Sequence, residues 1–142
     1  MALKQSSELR DLVLRLYQAF EWGELDVALG LMSREPGVLS IGTDPDEWWD
    51  TYATLEHVYQ AQLGEMRDVG IRFQPGDPQC YAEGSVGWCA DQARIVLPDD
   101  TVQPIRMTLV FHREGGDWKI VQAHASLGVR NVEALGTELT TE

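Results

Sequence analysis

"RMTLVFHREGGDWKIVQAHASLGV", residues 106–129, decides the fold. Two runs rich in β-branched and aromatic residues flank Gly115-Gly116. Such runs favour strands, and paired glycines supply the positive φ that a tight hairpin turn needs. We therefore expect strands over 103–113 and 117–128, joined as a hairpin. Upstream, "SVGWCADQARIVL" predicts a strand over 85–97, with "PDD" as the turn into the next. Three long strands connected in order form an antiparallel meander. The shorter runs "IRFQ" and "QCYAE" add strand further upstream. Between them Pro75, Gly76 and Pro78 predict a bend or bulge.

The first half reads differently. Leu9, Leu12, Val13, Leu16, Tyr17 and Phe20 recur at three-and-four spacing, which predicts a helix over 7–22. Ser6 or Ser7 can cap its start, and Gly23 ends it. A short second helix carries Leu25, Ala28, Leu29 and Met32 on one side, and "VLSIG" then reads as a strand. Tyr52, Leu55, Tyr59, Leu63 and Met66 place a third helix over 50–66. In "GTDPDEWWDTY", Asp44, Pro45 and Glu47 fit the N-cap, N1 and N3 positions of a helix start, and Asp50 can cap the longer helix. This places the acids at the positive end of a helix dipole, and we expect no metal site among them. Three helices followed by a curved antiparallel sheet make an α+β domain. The 142 residues form one such domain, 1–142.

Composition narrows the partners. The formal net charge of −12 sets the surface against a phosphate backbone and against anionic membranes, so we expect neither nucleic acid nor membrane as partner. No apolar run approaches the roughly 20 residues that span a bilayer. "MALKQSSELR" lacks the basic-then-apolar order of a secretion signal, and a cytoplasmic location is expected. Cys80 and Cys89 lack the spacing of a zinc site. In a cytoplasmic chain we expect two buried free thiols, with a disulfide as the alternative.

In order and motif the chain resembles a SnoaL-like domain of the nuclear transport factor 2-like superfamily. This is the cone-shaped α+β fold of ketosteroid isomerases and polyketide cyclases. The resemblance rests on "IGTDPDEWW", on "GSVGWCAD" and above all on "RMTLVFHREGGDWKIVQAHASLGV". It implies a curved sheet wrapped around three N-terminal helices, a pocket inside the cone, a homodimer through the sheet and no fixed cofactor. It implies no single activity, because such folds host many.

Candidate site residues follow from the faces. At a period of two, Trp118, Ile120, Gln122, His124 and Ser126 share one side of the last strand. We expect that side to face the interior, between the sheet and the first and third helices. His124 would then be a general acid or base, or else a histidine hydrogen-bonded between strand and helix. Gln122 and Ser126 would line the pocket beside it. Trp88, mid-strand on one face with Val86, Ala90 and Gln92, is also expected at the pocket wall, while Cys89 and Asp91 take the opposite side. Of the adjacent Trp48 and Trp49, which cannot share a face, Trp48 is placed at the pocket. Tyr17, Tyr52 and Tyr59 lie on helix faces near the hollow, with Glu56 at the border as a second catalytic candidate. Met107, Leu109 and Phe111 read as core, which sends Arg106 and Thr108 to the other side of the sheet. The reversed facing would make Arg106 an anion-binding residue. The functional expectation is a small-molecule-binding pocket. The alternatives are a cofactor-independent isomerase, cyclase or dehydratase acting on a small apolar substrate, and an association module.

Overall fold

A computed structural model describes residues 2–142. The chain runs β1 (Lys4–Gln5), α1 (Ser7–Trp22), α2 (Leu25–Gly30), β2 (Leu39–Ile41), β3 (Trp48–Trp49), α3 (Tyr52–Val69), β4 (Arg72–Gln74), β5 (Gln79–Glu83), β6 (Val86–Val96), β7 (Val102–Glu114), β8 (Asp117–Ser126) and α4 (Asn131–Leu135). The eight strands make one curved sheet in the order β1-β5-β6-β7-β8-β2-β3, with β4 also paired to β6. The helices α1 to α3 pack on its concave face. The fold is the α+β cone expected from the sequence.

Local chemistry sets the helix ends. The Ser6 hydroxyl accepts the Leu9 N–H at 3.1 Å, and Gly23 closes α1 in the left-handed region. Thr51, not Asp50, caps α3 by accepting the Thr54 N–H at 3.2 Å. The Asp44 region is likewise not a helix start. Its hydrogen bonds have the form of a capping box: Asp44 Oδ1 accepts the Asp46 N–H and Glu47 Oε1 accepts the Asp44 N–H, both at 2.9 Å. The chain then turns back, and Gly42 N–H bonds the Glu47 carbonyl at 2.9 Å. The stretch is therefore the tight connection of the β2–β3 hairpin. The same short-range bonds serve either geometry; the pairing of Ser40 with Trp49 decides which one forms.

The proline-rich bend appears where expected. Residues 75–78 separate β4 from β5, and both strands pair with β6. Gly76 presses so closely on β6 that a Cβ there would collide with the Gln92 carbonyl. Cys80 and Cys89 face each other across β5 and β6 and are joined in a disulfide, which corrects the expectation of free thiols. Two cysteines nine residues apart meet only if a hairpin sets them opposite, and that register was not legible beforehand.

The largest departure lies in β8. Phe111 pairs with Ile120, but Val110 pairs with Gln122, leaving Val121 as an extra residue. This bulge resets the alternation. Trp118 and Ile120 face the core, and beyond the bulge Ala123 and Ala125 do so. The segment around Met32 pairs with Ile120, and β2 pairs with residues 122–124, so β8 is held from both sides across the bulge.

Candidate functional site

A cavity of about 310 Å³ lies between the concave face and the helices α1 and α3. Helix α1 contributes Leu16, Tyr17 and Phe20; α3 contributes Tyr59, Gln62, Glu65 and Met66. The floor comes from the inner face of the sheet, where Ile105 and Met107 of β7 meet Ala123 and Ala125 of β8. Small residues on β8 leave the space that larger ones would fill. Phe73 and Ile95 close one side, and Ser40, Thr43, Glu47 and Trp49 of the β2–β3 hairpin close the other. Aromatic edges organise the wall: Phe20 packs edge-on to Tyr59 at 5.3 Å and to Phe73 at 5.6 Å between ring centroids.

The polar groups of the wall are few and held in place. Glu47 Oε2 accepts the Gln62 side-chain N–H at 2.9 Å while its other oxygen holds the hairpin. Tyr17 donates its hydroxyl to Asp91 Oδ2 at 2.9 Å, inside the protein. Burial, then the Asp91 charge and this hydrogen bond, hold the Tyr17 phenol well above its ordinary pKa. Burial also raises Tyr59, against a hydrogen bond with Ser40 that pulls the other way. Tyr17 is thereby held as a donor to Asp91. Asp91 is 7% exposed; it also accepts the Gly76 N–H at 3.1 Å, and its Oδ1 has no partner among the described residues.

The expected site residues divide sharply. Tyr17 and Tyr59 line the cavity. Trp48 does not: it is 62% exposed, and its neighbour Trp49 takes the inward position opposite the buried Ser40. Tyr52 lies outside the lining, with the Arg34 guanidinium stacked on its ring at 4.7 Å. Trp88 points from the outer face of β6 and is 40% exposed. The Val121 bulge turns Gln122, His124 and Ser126 to the outer face as well. His124 thus stands opposite Thr108, not among the aromatic rings of the interior. Glu56 is exposed on α3. Neither catalytic candidate reaches the cavity. The facing of β7 is as expected, with Arg106 and Thr108 outward.

Residues not singled out as site candidates include Glu47, Gln62, Glu65, Trp49 and Asp91. Asp91 carried a signal, since it shares a strand face with Cys89, a residue expected to be buried. Glu47 was read as a helix cap, and its second carboxylate oxygen, reaching Gln62, had no signature in sequence. Among the described residues no three His, Cys, Asp or Glu side chains group as a metal would require.

The SnoaL-like domain model matches residues 9–130, from α1 through all the long strands. The chain belongs to the SnoaL-like family. No curated protein matches it. Among solved structures, the SnoaL-like chain is similar to a nuclear transport factor 2-like protein of unknown function from Pseudomonas putida, at 18% identity and a TM-score of 0.79, covering 98% of this chain and 99% of that one. A putative dehydratase of the same fold family from Streptomyces avermitilis has 17% identity and a TM-score of 0.72, over 86% and 94% of the two chains. A putative calcium/calmodulin-dependent protein kinase type II association domain from Thiobacillus denitrificans has 20% identity and a TM-score of 0.68, over 84% and 94%. At these identities the likenesses show a shared fold. Among the described residues of the SnoaL-like chain, no helix is long and apolar enough to cross a membrane.

Proposed function

We propose that the protein binds a small, largely apolar molecule in the cavity between its sheet and helices. The observation that carries this reading is the cavity itself. Its volume of about 310 Å³ lies at the small end of ligand sites, and aliphatic and aromatic walls surround a few oriented polar groups. Empty, such a space forfeits packing contacts that a ligand would supply.

Tyr17 and Asp91 support a second reading, a cofactor-independent isomerase, cyclase or dehydratase; the name of the Streptomyces neighbour points the same way. Binding is favoured because Tyr17 has one proton and commits it to Asp91. A ligand oxygen must compete for that donor. We also propose a homodimer through the outer face of the sheet, where Trp88, Val86 and Val102 are 40–47% exposed. The cytoplasm remains the proposed location, with the disulfide buried against reductants at 5% and 1% exposure of its cysteines.

The test is titration with a neutral bicyclic probe, 2-naphthylmethanol, followed by calorimetry. We expect saturable binding of one molecule per chain. Ala125→Leu, which grows into the cavity, should abolish it. Absence of saturable binding, or full binding by the filled variant, would overturn the reading.

A further inference from the structure

We infer that the ligand carries a cationic group, such as a protonated amine, on its apolar body. This rests on the cavity reading above and adds the charge class. Glu47, half-buried, and Glu65, exposed at the rim, line the cavity, and among the described residues no lysine, arginine or histidine does. A charged ligand loses water on entering an apolar cavity, so the sign of the charges along its wall favours one class of ligand over the other.

Glu47 is not a mobile surface acid. Its carboxylate is fixed by the Asp44 N–H and by Gln62, and it forms no ion pair among the described residues. Both bonds are to neutral donors, which orient the charge without cancelling it. Behind the wall, Asp91 adds a third acid, bonded only to Tyr17 and the Gly76 amide, with Oδ1 unpartnered among the described residues. The nearest basic residue along α3, Arg67, pairs with Asp68 at 3.7 Å and does not line the cavity. Finally, the aromatic residues Trp49, Tyr59 and Phe20 line the same cavity as these acids. Aromatic faces attract a desolvated cation and repel an anion.

The net charge of −12 acts in the same sense at longer range, concentrating cations at the surface. An apolar carboxylate would meet acids at the hairpin, at α3 and behind Tyr17. An ammonium would find carboxylates and aromatic faces together.

A matched series separates this inference from the pocket reading: 2-naphthylmethylamine, 2-naphthylmethanol and 2-naphthoate at pH 7, by calorimetry with the intact protein. The amine should bind about tenfold or more tightly than the alcohol, and the carboxylate more weakly than both. Glu47→Gln keeps the hairpin bond, because Gln62 can turn its amide to meet the new donor. Combined with Glu65→Gln, it should bring the ratio of amine to alcohol affinity to about one. Equal binding of all three, or an amine preference that survives both substitutions, overturns the cationic class and leaves the pocket standing. Binding by none of the three overturns both.

Discussion

The two faces of β6, β7 and β8 are cut from the same strands and differ in almost every physical respect. On the concave face stand Cys89, Asp91, Ile105, Leu109, Phe111 and Ile120, each no more than 7% exposed. On the outer face stand Trp88, Gln92, Arg106, Thr108, Gln122 and His124, all exposed. The concave face contains one carboxylate with a fixed tyrosine partner; the outer face contains amides, hydroxyls and charged groups that water can satisfy. The difference teaches that residue type alone does not mark the site. The histidine and the mid-strand tryptophan, chemically the more suggestive residues, are on the wet side. The cavity is floored by alanine, isoleucine and methionine.

Substitutions at neighbouring positions can break or sharpen this contrast. The largest effect should come from Phe111→Ala, which empties a fully buried position and should cost about 3–5 kcal/mol in urea unfolding. Thr108→Ala, on the other face of the same strand, should stay within about 0.5 kcal/mol. Similar losses at both positions would mean the outer face is as tightly packed as the inner one.

The disulfide comes next. Replacing Cys80 and Cys89 together by alanine should cost about 2–4 kcal/mol, since it frees the unfolded chain of a crosslink. Thiol titration of the denatured, unreduced protein should find no free thiol. Two titratable thiols would restore the expectation read from the sequence.

Tyr17→Phe should cost about 1–3 kcal/mol by leaving the buried Asp91 carboxylate short of a donor. It should also change the alkaline limb of stability. Tyr17 and Tyr59 have folded pKa values raised above the ordinary 10.0. Their contribution is complete below pH 10 and is lost above it, where the unfolded tyrosines release protons that the folded ones keep. Each lowers stability as pH rises above 10, by at most about 1.4 kcal/mol per pH unit. Tyr17→Phe should flatten the slope by one tyrosine's share. An unchanged slope in chemical denaturation between pH 9.5 and 11 would show that Tyr17 titrates freely.

The smallest effect belongs to His124→Phe. On the outer face it should change monomer stability by less than about 0.5 kcal/mol and leave naphthylmethanol binding unaltered. A loss of binding would return His124 to the cavity and undo the assignment of faces.

The sequence by itself determined the first three helices and the long strands, the hairpin at Gly115-Gly116, the bend at Pro75–Pro78, the capping of α1 and the inward facing of Met107, Leu109 and Phe111. These depend on short-range preferences: turn glycines, capping hydroxyls and the period of apolar residues. It also put Tyr17 and Tyr59 on the buried faces of their helices, because a helix keeps its phase over many turns. Only the tertiary structure decided the rest. The extra residue at Val121 comes from pairing β8 with β7 on one side and with Met32 and β2 on the other, and it reverses Gln122, His124 and Ser126 at once. The choice of Trp49 over Trp48, and of hairpin over helix at Asp44, depends on strand partners remote in sequence. A strand has a period of two, so one inserted residue exchanges its faces, and nothing local to the strand records the insertion.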